Sequence, residues 1–284
     1  MKDFKKHSLM IIIATLVTAN FFIWYAVSAS ERDTLRVAFL DVGQGDAIFI
    51  ESPTGVQVLI DGGPDNQILS ELGSVMPFFD RSIDMLIISN PDKDHFAGFV
   101  DVLKRYSVQN ILEPGTVTDT EIYKIFKDAA AEEGAESILA RRGMVIDLGG
   151  GVNLQILFPD RDVSGLSTND GSIIAKLVYG DTSFMFPGDT TKNIEEYIAR
   201  LDGEHLDVDI LKLAHHGSKT SSSEVFLAAT TPKYGIISAG KNNRYGHPHQ
   251  EVIGRLSASE IKILGTYEEG TIIFESDGER LWRK

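Results

Sequence analysis

Four short stretches hold most of the side chains that could do chemistry. Asn90-Pro91-Asp92-Lys93-Asp94-His95 follows the apolar run 84–89, and Pro187-Gly188-Asp189 ends the run 182–187. Ala214-His215-His216-Gly217-Ser218 sets adjacent histidines after the run 207–213, and Tyr245-Gly246-His247-Pro248-His249 follows 233–238 through the polar turn Lys241-Asn242-Asn243-Arg244. Of seven histidines only His7 and His205 lie outside these stretches, so the imidazoles and carboxylates are concentrated where strands end. Metal-assisted hydrolysis needs such donors: carboxylate and neutral imidazole ligands held rigidly, an open position for water, and a cation that lowers the pKa of that water. Asp94, His95, Asp189 and either His216 or His247 meet that need. Each piece also has a bland reading. Asp94 and Asp189 each precede a helical pattern and can serve as N-caps, and a His-Pro-His turn can be plain surface; two adjacent loop histidines have no packing role.

The elements that must hold these loops are legible as periodicity. Apolar and β-branched runs predict strands at 34–40, 45–51, 56–61, 84–89, 153–158, 173–179, 182–187, 207–213, 233–238, 261–266 and 271–275. Helical spacing is clearest at 96–106, 119–133, 190–201, 222–229 and 249–258. The first three strands follow one another through Gly43-Gln44-Gly45 and Ser52-Pro53-Thr54-Gly55, which predicts an antiparallel start. Strands and helices then alternate, so an α/β (α+β) pair of mixed sheets with helices on the outer faces fits better than a doubly wound parallel sheet.

Composition narrows the function. With 284 residues, 43% hydrophobic and 24% charged, the chain is neither disordered, collagenous nor a multispan membrane protein. A formal charge of −14 gives no long-range attraction to nucleic acid, so a phosphate-bearing substrate would be held locally, by metal or a few basic residues. The absence of cysteine excludes thiol catalysis, disulfides and iron–sulfur clusters. Residues 9–27 carry no charge and follow Lys2, Lys5 and Lys6. A run of that length is closer to the ~20 residues that span a bilayer than to the ~7–15 of a signal-peptide core. An uncleaved anchor is favoured, with Val27-Ser28-Ala29 leaving cleavage and secretion open. Either way the catalytic part is expected outside the cytoplasm. The division is thus 1–30 as signal or transmembrane anchor and 31–284 as one hydrolase domain.

Six phrases carry a resemblance: Phe39 to Ala47 (FLDVGQGDA), Ile60-Asp61-Gly62-Gly63, Asp92 to His95, Pro187-Gly188-Asp189, Lys212 to Ser218, and Asn243 to Pro248. In that order they resemble the metallo-β-lactamase fold, specifically its branch in the ComEC competence DNA-uptake proteins. The resemblance implies an αββα sandwich with the site at one edge between the sheets, one or two divalent ions (Mn, Zn or Mg), and a phosphodiesterase or nuclease activity. Asp94 and His95 match the last two ligands of the fold's HxHxDH motif, and Asp189 matches a carboxylate that can bridge two metals. His216 and His247 both fit the final histidine. Asn90 stands where the ComEC branch usually has His, so the other metal site would be Asn90, Asp92 and Asp189, oxygen-rich and better suited to Mn²⁺ or Mg²⁺ than Zn²⁺.

On this reading Asp92 or Asp94 orients the attacking water, and His247 stabilises the leaving oxygen. His215, Lys212, Arg244 and Asn169 are the candidates for substrate contact, with Lys241 beside Arg244; Lys212 could equally face solvent. Gly43, Gly45, Gly62 and Gly63 permit tight turns or close backbone approach, while Asp46 and Asp61 are expected to bind loop backbone, with support of a metal ligand as the alternative. The implied partners are DNA or another phosphodiester, a membrane through residues 9–27, and a separate DNA-uptake channel. Two rivals remain: a non-catalytic binding or scaffold module, for which Asn90 is the motive, and a hydrolase of a small ester.

Overall fold

The computed structural model describes residues 7, 10–22 and 33–284. Alternation within the strands builds the layers. In β1 (Leu35–Phe39) the side chains of Leu35, Val37 and Phe39 enter one apolar cluster and Ala38 enters another on the opposite face, because successive side chains in a strand point to opposite sides. The cluster between the sheets joins Val37, Phe39, Ile50 and Ile60 to Leu154, Phe184, Ile210 and Ile236. Both sheets therefore bury two faces, which calls for helices outside.

The first sheet has eight strands in the order β15-β14-β1-β2-β3-β4-β5-β6. They are β1, β2 (Ile48–Glu51), β3 (Gln57–Ile60), β4 (Ser82–Ile87), β5 (Ser107–Glu113), β6 (Glu136–Leu139), β14 (Ile272–Ser276) and β15 (Leu281–Arg283). The second has seven, β13-β12-β11-β10-β9-β8-β7: β7 (Val145–Asp147), β8 (Val152–Phe158), β9 (Ile174–Tyr179), β10 (Thr182–Phe186), β11 (Ile210–Lys212), β12 (Tyr234–Ile237) and β13 (Lys262–Gly265). Helices α2 (Gln67–Val75), α4 (Phe99–Leu103) and α5 (Glu121–Glu133) cover the first sheet through Ile68, Leu72, Phe99 and Phe126. Helices α6 (Lys192–Asp202), α7 (Glu224–Thr230) and α8 (Gln250–Ala258) cover the second through Ile198, Phe226, Val252 and Leu256. The expected αββα sandwich is observed, with the antiparallel β1–β2–β3 start.

Several expectations are corrected. The helix read over 96–106 is two pieces, α3 (Lys93–Phe96) and α4. Between them the Gly98 amide donates to Gly63 O at 3.0 Å, and a Cβ on Gly98 would overlap the Gly62 carbonyl. Helix α2 and strands β5, β6, β7 and β15 lie where no element was read. Strands β6, β7 and β15 end their sheets and are largely exposed, so no apolar run marks them, and β5 carries an exposed Gln109 and the half-buried Asn110. Of the expected 9–27 anchor, residues 10–22 are helical (α1) and the rest lies outside the described residues. Among the described residues no helix is long and apolar enough to cross a membrane.

One buried carboxylate ties the second layer of helices to the loop after β11. Glu195 of α6 accepts from the amides of Ser222 and Ser223, each at 2.7 Å. Ser221 in turn donates its hydroxyl to Ala214 O at 2.7 Å, and Arg255 donates to Ser221 O at 3.0 Å. Burial outweighs these hydrogen bonds and pushes the Glu195 carboxyl up to about 7. An acid whose pKa is higher folded than unfolded binds more protons in the native state between the two values, so its contribution is present at low pH and is lost as pH rises. Stability to urea is expected to fall by roughly 3 kcal/mol from this group as pH rises from 4.5 towards 7. Glu195→Gln should flatten that slope; an unchanged slope would remove Glu195 as its source.

Candidate metal centre

The loops that leave the C-terminal ends of β4, β10, β11 and β12 meet between the sheets, where such strand ends commonly bind ligands. His95 is fully buried and Asp189 is 4% exposed. Neither aspartate is a cap: the residue preceding α3 is Asp92, without a side-chain capping bond, and that preceding α6 is Thr191. The histidine loop turns sharply, with His215 and His216 both left-handed at φ 50° and 54°. Two consecutive non-glycine residues in that region are costly and persist only where surrounding contacts enforce them. Here the His215 amide donates to Gly188 O at 3.2 Å, the Ser218 amide to His215 O at 2.8 Å, and the Ser221 hydroxyl holds Ala214 O.

The hydrogen bonds leave particular ring atoms free. His95 Nδ1 lies 2.8 Å from Asp61 Oδ2, and Asp61 is itself held by the Ser89 amide and hydroxyl at 2.8 and 2.5 Å. His216 Nδ1 donates to Ser238 O at 2.9 Å. Both Nε2 atoms then point inward: His95 Nε2 is 3.2 Å from Asp189 Oδ2, and His216 Nε2 is 3.4 Å from Asp94 Oδ2 and 3.5 Å from Asp189 Oδ2. Neither Nε2 has a hydrogen-bond partner, nor does Asp189 Oδ1. Donors about 2.0–2.1 Å from one ion in a tetrahedron stand about 3.3–3.4 Å apart, which matches this spacing. The residues present fit a divalent cation, and donor atoms of Asp94, His95 and His216 all lie within 4.8 Å of one another.

Charge gives the same answer. Burial favours the neutral imidazole, yet Asp189 and Asp61 outweigh it and raise His95 well above its ordinary value; Asp189 and Asp46 likewise raise His216 to about 10. Burial penalises the Asp94 carboxylate, but the His216 ring 3.4 Å away and the charge of His95 bring it down to about 2. Protons on the two rings stand in for positive charge that the carboxylates demand.

A cavity of about 170 Å³ opens onto this cluster, lined by Asp92, Asp94, Asp189, His215, Tyr245 and His247, among others. His216 therefore sits in the donor cluster, while His247 lies across the cavity, its ring 6.2 Å from that of His216. Burial and the neighbouring histidines lower His247 to about 4, so its ring is neutral at pH 7. Asn90 is spent elsewhere: its amide donates to Asn169 Oδ1 at 2.7 Å and its oxygen accepts from the Asp92 amide at 2.9 Å. Asp92 accepts from Thr168 at 3.0 Å and belongs to none of the donor groups found among the described residues. Asn169 and Arg244 do not line the cavity; Arg244 stacks over Tyr245 at 4.8 Å.

Lys212 neither faces solvent nor reaches the cavity. It is 1% exposed and ion-pairs with Asp46, whose other oxygen is 3.3 Å from His216 Nδ1. Asp46, expected to bind loop backbone, is held instead by a lysine from the other sheet. It can come this close because Gly45, at φ 144°, lies where a Cβ would strike the Asp94 carbonyl. Sequence reading missed Tyr245 as a cavity residue; its place between Arg244 and His247 was the available signal.

A chain with this sandwich and this donor set is a metallo-β-lactamase-type protein, and comparison with known proteins agrees. It belongs to the metallo-β-lactamase superfamily, whose model matches residues 40–241. It is similar to ComE operon protein 3 of Bacillus subtilis (strain 168), at 34% identity over 84% of this chain and 32% of the relative. Recombination protein 2 of Haemophilus influenzae is 30% identical over 85% of this chain and 29% of the relative. Competence protein ComA of Neisseria gonorrhoeae is 29% identical over 92% of this chain and 35% of the relative, in keeping with the resemblance that the six phrases carry, and the chain spans about a third of the length of these relatives. Among solved structures, the metallo-beta-lactamase fold protein YhfI from Bacillus subtilis shares the fold, with a TM-score of 0.57 at 12% identity, covering 85% of this chain and 100% of that one.

Removing one partner of a buried ion pair strands the other, at a cost of about 3–5 kcal/mol, and groups that orient metal-binding histidines are worth about 10–100-fold in affinity. Lys212→Met is expected to lower the urea midpoint accordingly and to weaken Zn²⁺ or Mn²⁺ binding in calorimetric titration. Unchanged metal affinity would separate the Asp46–Lys212 pair from the centre.

Proposed function

We propose that the chain is a divalent-metal-dependent phosphodiesterase acting on DNA outside the cytoplasm, with residues 31–284 as the hydrolase unit and residues 1–30 as an export or anchoring segment. The observation that carries it is the convergence of two unpartnered imidazole nitrogens and two carboxylates on an open cavity. Competence proteins among the relatives support DNA as the substrate and a separate uptake channel as the setting. An open groove of about 560 Å³ adjoins the cavity through His247 and is lined by Lys241, Asn242, Asn243, Tyr267 and Glu268, leaving room for a substrate that extends beyond the donor cluster, with Lys241 placed to meet a phosphate.

His95, His216, Asp94 and Asp189 would hold the ion, which when bound supplies acidified water and offsets phosphate charge. Asp94 and Asp92, on the same wall, accept a hydrogen bond from the attacking water and take its proton as the new O–P bond forms. His247 and His215, opposite, donate towards the leaving oxygen as the old P–O bond breaks. Arg244 and Lys241 bind the flanking phosphates, beside the Tyr245 ring that stacks on His247 at 5.7 Å.

Single- and double-stranded DNA are expected to be cleaved with at least one of Mn²⁺, Mg²⁺ and Zn²⁺, and Asp189→Ala should abolish that cleavage with its circular dichroism unchanged. A wild-type protein that neither retains metal nor cleaves DNA under any of these cations would overturn the assignment and favour a scaffold.

A further inference from the structure

The end of the first sheet opposite the metal centre carries an unusual loop. Phe78 and Phe79 are 89% and 71% exposed, and Phe78 is the most exposed large apolar side chain among the described residues. The base of the loop is fixed: Met76 is buried, Arg36 donates to Val75 O at 2.6 Å, and Asp80 accepts from Gln57 at 2.6 Å. Two phenylalanines are thus held out in water by a rigid mount, at a cost that burial elsewhere would recover. Cations lie beside Phe78, although Lys104 also pairs with Asp101 at 3.0 Å. Arg81 stacks between Phe78 and Tyr106 at 5.6 and 5.7 Å, and Lys104 and Arg105 are exposed beside Tyr106.

What covers such a loop is indicated by where the chain enters. Strands β1, β3, β4 and β5 run in one direction, so Leu35, Ser82 and Ser107 begin at the loop's end of the sheet. The candidate metal centre lies about 20 Å away, beyond the other end of β4. Helix α1 precedes that entry, and its apolar side chains are exposed on every side, including Ile11 at 66%, Val17 at 63% and Phe22 at 63%. Two of its polar side chains bond back to the helix, Thr15 donating to Ile11 O and Asn20 to Leu16 O, each at 2.9 Å. Such a helix suits an apolar medium. The chain between Phe22 and Asp33, even fully extended, reaches only about 40 Å.

We infer that the Phe78–Phe79 loop docks on the surface of a lipid bilayer beside α1. The two rings enter the acyl boundary, and Arg81, Lys104 and Arg105 meet headgroup phosphates. Docking stands the sheet on the bilayer with the metal centre facing away from it, open to a substrate arriving from solution. The inference rests on the reading that residues 9–27 hold the chain at a membrane.

Because the chain has no cysteine, Phe79→Cys in the full chain gives one attachment point for an environment-sensitive fluorophore. Asn242→Cys gives a matched one beside the metal centre. Each labelled protein is reconstituted with vesicles of phosphatidylethanolamine and phosphatidylglycerol, floated, and exposed to spin-labelled lipid. The probe at 79 is expected to shift to the blue and to be quenched severalfold more than the probe at 242. Floating protein whose two probes are equally wet overturns docking and leaves anchoring intact; protein that does not float overturns anchoring and docking together. Shielding at 79 that needs no lipid and grows with protein concentration would make the loop a protein contact, and would also overturn the inference.

Discussion

Buried carboxylates must be matched by positive charge, and much of this structure follows from that constraint. Asp46, Asp61 and Asp189 are each at most 4% exposed, and Asp94 joins them at the cavity wall. Stranding ionised groups there would cost several kcal/mol apiece. One match is permanent: the Lys212 ammonium sits on Asp46, 3.8 Å from Asp189 Oδ1. The rest is supplied by protons on His95 and His216, or by a divalent ion in their place. The centre is therefore built to exchange protons for metal, with Asp61, Ser238 and Asp46 fixing which ring nitrogens face inward.

The fold meets this demand by drawing on both sheets. Asp46, Asp61, Asp94 and His95 come from the first sheet's loops, while Asp189, Lys212 and His216 come from the second. The set of Asp94, His95, Asp189 and His216 draws on both halves of the sandwich, so the inter-sheet core around Phe39, Phe184 and Ile236 also sets the spacing of the ligands. Glu195 and the left-handed turn at His215 and His216 complete the registration on the second sheet.

The order of layers was legible in the sequence because buried strands such as Leu35–Phe39 and Thr182–Phe186 are dominated by apolar side chains, with only Arg36, Thr182 and Ser183 among them. Asp94, His95 and Asp189 stood out for the same reason, as polar groups at the ends of such runs. The choice between His216 and His247 was not legible, since it depends on a turn at two non-glycine positions that is held by distant contacts such as Gly188 and Ser238. Lys212 was misread as a substrate contact or solvent-facing lysine because its pairing with Asp46 joins residues from different sheets. Asn90 raised the question of lost activity; its pairing with Asn169 explains the asparagine without touching the His95–His216 donor set.

The account stands on a cation bound between His95 and His216. The most direct test is anomalous diffraction from crystals grown with Mn²⁺ or Zn²⁺, recorded at the metal's absorption edge. We expect one strong peak within about 2.0–2.2 Å of His95 Nε2 and His216 Nε2, with Asp94 and Asp189 completing its coordination. No peak at saturating metal, or one held by Asp92 and Asn90 alone, would contradict it.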